Sequence, residues 1–121
     1  MKLTEFLLAR IAEDEALAQV ATPGQWDRDS GWSITAPPPE DWSGPYVVVE
    51  TKQRNDAEFI ASHNPARVLA ECEAKRRIVE LHPEMLEWCQ GCAYEAYPCR
   101  TLRALALPYS DHPDYLPEWR A

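Results

Sequence analysis

A chain of 121 residues with a hydrophobic fraction of 45% has single-domain length and can bury a core with little stability to spare. Its formal net charge of -8 argues against broad contact with nucleic-acid phosphates, which needs a basic stripe. No apolar run approaches the roughly 20 residues that span a bilayer, and the N-terminal stretch turns acidic at Glu5 and Glu13, so a cytoplasmic protein without membrane contact is expected.

The expected fold class is α+β, with all 121 residues in one domain. Residues 3–20 predict an amphipathic helix, with Leu3, Phe6, Leu7, Ile11, Leu17 and Ala18 in one stripe that Asp14 interrupts. Thr22-Pro23-Gly24 ends it, because proline cannot continue a helix and glycine invites a turn. Residues 25–54 predict short strands in a small antiparallel hairpin or meander. Trp32 to Thr35 alternates, Pro37-Pro38-Pro39 forces an extended link, and Tyr46-Val47-Val48-Val49 is β-branched and aromatic. Trp26, Trp32 and Trp42 are expected to pack in the core.

Residues 56–82 predict two helices. Asn55 is the expected N-cap of the first, with Glu58 completing a capping box and Phe59 and Ile60 on its apolar side. Asn64 and Pro65 start the second, and Pro83 stops it after His82. Val68, Cys72, Val79 and His82 share one face of that helix, so Lys75 and Arg76 must snorkel. Residues 86–107 carry a cysteine element and a short helix, and residues 108–121 form a tail rich in proline and aromatics, expected to lie extended over the surface.

Four cysteines in a reducing compartment call for a role other than disulfides. Cys89-x-x-Cys92 lets two sulfurs reach one tetrahedral ion from a tight turn, with Gly91 easing the bend. Cys99, at the start of the last helix, supplies a third thiolate. His82 is the preferred fourth ligand, ahead of His63, Cys72 and His112. Four protein ligands close the coordination sphere, so the expected cofactor is a structural zinc that ties the long helix to the last one. A redox Cys-x-x-Cys belongs after a strand in a βαβ setting, which this segment lacks. Cys72, in mid-helix, is expected to be buried.

Nucleotide-binding glycine patterns, nucleophile elbows and metalloprotease motifs are absent. Asp111-His112-Pro113-Asp114 could pair a base with its orienter, but Asp and Pro build turns and no nucleophile lies nearby in sequence, so an exposed turn is expected.

Ala21-Thr22-Pro23-Gly24-Gln25-Trp26, Asp56-Ala57-Glu58-Phe59-Ile60-Ala61 and the run from Pro98-Cys99 through His112-Pro113-Asp114-Tyr115 resemble segments of a small-protein family of unknown function from actinobacteria and their phages. Gln25 stands where that family usually has proline. The resemblance implies a Cys-x-x-Cys…Pro-Cys element as a family feature and no activity. The resulting expectation is a non-enzymatic, zinc-stabilised interaction protein, encoded by a phage or mobile element and binding a host or phage protein. Its surface would lie around Trp42 or around Trp119 in the tail. The alternative is a nucleic-acid-associated regulator that uses the zinc element and Lys75-Arg76-Arg77. Oligomeric state is not readable from these patterns.

Overall fold

The computed structural model describes residues 1–121 apart from Ser30, Tyr94 and Ala121. Its elements run α1 (Leu3–Val20), β1 (Asp27–Arg28), β2 (Ser33–Ala36), β3 (Tyr46–Glu50), α2 (Arg54–Ser62), α3 (Pro65–Leu81), β4 (Glu84–Met85), β5 (Trp88–Cys89), β6 (Glu95–Ala96) and α4 (Arg100–Leu105). The fold is α+β. The chain forms two compact units, one of Met1–Glu13 with Cys72–Ala121, the other of Asp14–Glu71.

In the first unit, Leu3, Phe6, Leu7 and Ile11 bury one face of α1 at helical spacing. Arg10 shares that buried face although it is charged. Its guanidinium lies 5.1 Å from the Phe6 ring centroid, and one nitrogen donates to Glu13 Oε1 at 2.8 Å. Burial of a cation is tolerable with such partners and costly without them. Cys72 and Val79 of α3, Leu102 of α4 and Ala106 complete the apolar interior.

The C-terminal tail is not extended over the surface. It folds through 3-10 turns at Leu107–Tyr109 and Pro117–Trp119, and its aromatics gather around Phe6. Trp119 lies 5.0 Å from Phe6 and Tyr115 5.9 Å, ring centre to ring centre, and Trp119 is only 4% exposed. The aromatic spacing fits no α-helix, yet successive i to i+3 bonds, such as Tyr115 N–H to His112 O and Trp119 N–H to Leu116 O, turn the rings inward. Asp111 to Asp114 does form a turn, but His112 is half-buried rather than exposed, 5.6 Å from Phe6 and 2.7 Å from Arg10.

In the second unit, β1, β2 and β3 form an antiparallel meander with a bulge where β2 passes from Ile34 to Thr35. Among the described residues, Ile34 and Ala36 of β2, Ala57 of α2 and Pro65 of α3 are its buried apolar side chains, with Ala18 of α1. Small interior residues leave large ones outside. Trp32 and Trp42 are exposed rather than core, and Trp26 is half-buried with its indole N–H on the Thr22 carbonyl at 2.9 Å. Leu17 and Phe59 are likewise exposed, and Phe59 stacks on His63 instead.

The two helix starts in this unit differ in their capping. Asn64 Oδ1 accepts the Arg67 N–H at 3.0 Å, capping α3 as its sequence predicts. Helix α2 begins one residue before Asn55, and Gln53 at its N-cap makes no side-chain bond. Glu58 is drawn to Arg54 at 3.1 Å and Arg28 at 3.9 Å, which leaves no capping box.

Candidate metal centre

The centre lies in the first unit, built on the segment that leaves the end of α3. Pro83 cannot continue the helix, and the chain enters a miniature antiparallel sheet of order β4-β5-β6. Leu86 takes a left-handed conformation in the two-residue connection between β4 and β5. The register Glu84 to Cys89 and Cys89 to Glu95 holds Cys89 in the middle strand, completely buried. A single 3-10 turn, Gln90–Cys92, then swings the second sulfur back towards the end of α3. Two-residue strands carry no periodicity, so the sequence pattern gives no sign of this sheet.

Gly91 is required here for space rather than for a special backbone angle. A Cβ at that position would collide with the Leu81 carbonyl oxygen and stand 3.1 Å from His82 Nδ1. The left-handed residue that reverses the chain is Ala93, with φ 50°. Cys99, also completely buried, arrives just after the cis Tyr97-Pro98 bond and occupies the N-cap of α4 in an extended conformation.

His82, Cys89, Cys92 and Cys99 converge, and their ligand atoms all lie within 4.8 Å of one another. Three sulfurs surround a single ring nitrogen. His82 Nδ1 is 3.5 Å from Cys89 Sγ, 3.2 Å from Cys92 Sγ and 3.7 Å from Cys99 Sγ. A neutral imidazole nitrogen carries either one N–H or one lone pair, so it can satisfy one hydrogen bond and not three. The four ligand atoms are instead close enough together that the group could hold a metal ion. None of the four cysteines forms a disulfide. Among the described residues this is the cluster with the donors for such an ion.

The alternative fourth ligands have other occupations. Cys72 points its thiol towards the Ile11 carbonyl at 3.9 Å. His112 is engaged by Arg10 and by the Asp114 N–H. His63 belongs to the second unit and bonds to Phe59 O and to Ser62 Oγ.

Three neighbours of the cluster are not singled out by the sequence pattern. Thr101 Oγ1 lies 3.8 Å from Cys92 Sγ and can orient that half-exposed sulfur. Tyr97 hydrogen-bonds through its phenol to Thr4 Oγ1, and its N–H reaches Glu87 O at 2.9 Å. Burial pushes the phenol above its ordinary range, with Glu84 adding to the effect, so it remains a neutral hydroxyl. Glu95 accepts the Arg100 N–H at 3.2 Å, fixing the first turn of α4. Only Thr101, two residues after Cys99, has a signal in the sequence, and hydroxyls next to ligands are too common to single it out.

Among the described residues no helix is long and apolar enough to cross a membrane. No curated protein and no solved structure matches the chain. A family model does match residues 1–121, and the chain belongs to that family of unknown function, DUF6221.

Proposed function

We propose that the protein is a non-enzymatic interaction module whose first unit is held by one structural zinc ion on His82, Cys89, Cys92 and Cys99. The observation that carries the reading is the trio of sulfurs about one nitrogen. A tetrahedral zinc with sulfur at about 2.3 Å and nitrogen at about 2.0 Å sets each S···N edge at roughly 3.5 Å. The three separations, 3.5, 3.2 and 3.7 Å, scatter around that value. A donor set of three thiolates and one imidazole suits zinc over hard cations such as magnesium or calcium. With four protein ligands there is no position for substrate, so the ion's work is to tie the end of α3 to the start of α4.

The interaction half of the reading rests on Trp42, which is 52% exposed in a proline-rich segment. Trp119 does not serve, since it is core. The setting implied by the resemblance, a phage or mobile element acting on a host or phage protein, belongs to this proposal as well. The nucleic-acid alternative draws less support. Lys75 donates to the Tyr109 hydroxyl at 3.0 Å and Arg77 pairs with Glu73 at 2.7 Å, so those charges already have partners within the protein.

Elemental analysis of purified protein tests the metal. About one zinc per chain is expected in the parent and none in Cys92→Ser, with chelation lowering the melting temperature of the parent alone. A parent chain that purifies without zinc, and melts identically with and without chelator, would end the proposal.

A further inference from the structure

The three cysteines of the centre are not equally reachable. Cys89 and Cys99 are completely buried, whereas Cys92 keeps part of its surface towards solvent. The fold accounts for the difference. Cys89 sits in the middle strand of the small sheet, and Cys99 caps α4, whose Leu102 is itself completely buried. Cys92 ends the 3-10 turn in the connection between β5 and β6, outside their pairing.

Exposure matters because of what a metal ligand is chemically. A coordinating cysteine is held as thiolate, and the thiolate is the form that attacks peroxides. Oxidation then follows access, and Cys92 is the thiolate of the three that solvent reaches. A second sulfur is also at hand, since all the ligand atoms lie within 4.8 Å of one another. Cys89 is the nearer along the chain. Only Gln90 and Gly91 separate it from Cys92, and so short a loop closes at little entropic cost. A bond from Cys92 to Cys99 would span six residues, β6 among them, and would draw on the buried start of α4.

We infer that Cys92 is an oxidative modification site, which hydrogen peroxide converts to a sulfenic acid that Cys89 captures as a disulfide. The inference rests on the zinc reading above and adds the regulation of that site. In the first step the Cys92 thiolate attacks one peroxide oxygen, forming an S–O bond as the O–O bond breaks and hydroxide leaves. In the second the Cys89 thiolate attacks the sulfenic sulfur, forming the S–S bond and expelling a second hydroxide. Two thiolates thus give up two electrons to one peroxide, and the two hydroxides take protons from water. His82 and Cys99 are the donors that remain, and a structural zinc site needs four. The centre therefore releases its ion, and the end of α3 loses its tie to the start of α4.

Timed exposure of the zinc-loaded full chain to hydrogen peroxide tests the inference. A colorimetric chelator reads released zinc, dimedone traps sulfenic acid, and mass spectrometry maps each cysteine. Dimedone should label Cys92 at least about tenfold faster than Cys89 or Cys99. About one zinc should leave per Cys89–Cys92 disulfide, with the melting temperature falling to that of the chelated parent. A phosphine reductant with added zinc should restore both. Cys72→Ala, which removes the buried thiol outside the cluster, should release zinc at the parental rate. First labelling at Cys89 or Cys99, a disulfide to Cys99 or Cys72, or a disulfide formed with the zinc retained overturns the inference. Zinc is counted before peroxide is added, so a chain without it fails the metal reading, while the order of labelling still decides the modification site.

Discussion

Replacing Gly91 with alanine probes the centre without touching a ligand. The added methyl would collide with the Leu81 carbonyl oxygen, a backbone atom at the last turn of α3 that has no rotamer into which to retreat. It would also stand 3.1 Å from His82 Nδ1, the nitrogen that the sulfurs surround. Restoring van der Waals contact requires the turn to withdraw by roughly an ångström. Ligand distances in a metal site tolerate only about 0.2 Å. The withdrawal is therefore about fivefold too large, and it acts on Cys92, the next residue along the chain.

Bound zinc should fall from about one per chain to well under half after exhaustive dialysis. Overpacking adds about 1–3 kcal/mol of destabilisation, which at roughly 4 °C per kcal/mol lowers the melting temperature by about 4–12 °C before the metal's own contribution is counted. Metal analysis and thermal denaturation with and without chelator read both effects. Gly31→Ala serves as control, because among the described residues its Cβ would meet only Asp29 Oδ1, at an ordinary 3.5 Å. If Gly91→Ala keeps a full complement of zinc and the parental melting temperature, the close approach of the turn to α3 is not what positions the sulfurs, and the reasoning fails.

Trp119→Ala should cost about 3–5 kcal/mol in urea unfolding, because it opens the cluster around Phe6, whereas Trp42→Ala should change stability by no more than about 0.5 kcal/mol. Asn64→Ala should cost about 1 kcal/mol through loss of the α3 cap, and Asn55→Ala close to nothing, with equal losses counting against the assignment of caps. The raised Tyr97 pKa stabilises the fold fully below the unfolded value of about 10, and that contribution disappears as pH rises through the folded value. The urea midpoint of the parent should accordingly fall more steeply above pH 10 than that of Tyr97→Phe, and parallel profiles would refute the role of burial there.

The long helices and the converging residues are legible in the sequence because their signals are local. Helix α1 follows from apolar residues three and four apart, and α3 from Asn64 and Pro65 at one end and Pro83 at the other. The cluster is legible because two sulfurs three residues apart, a third soon after and a histidine just before the turn can meet with few intervening degrees of freedom. Even there, easing a bend does not account for Gly91, whose need is room against Leu81.

Burial is a different matter. Trp42 and Trp119 are chemically identical, and nothing within several residues of either says that one sits against Phe6 while the other faces solvent. Leu17 obeys the helical period of α1 and is still 70% exposed, while the charged Arg10 takes a place on the buried face. Spacing along the chain decides which residues share a face of an element. Which faces meet is decided by partners distant in sequence, Phe6 by the 3-10 turns more than a hundred residues later, and only the tertiary structure supplies them.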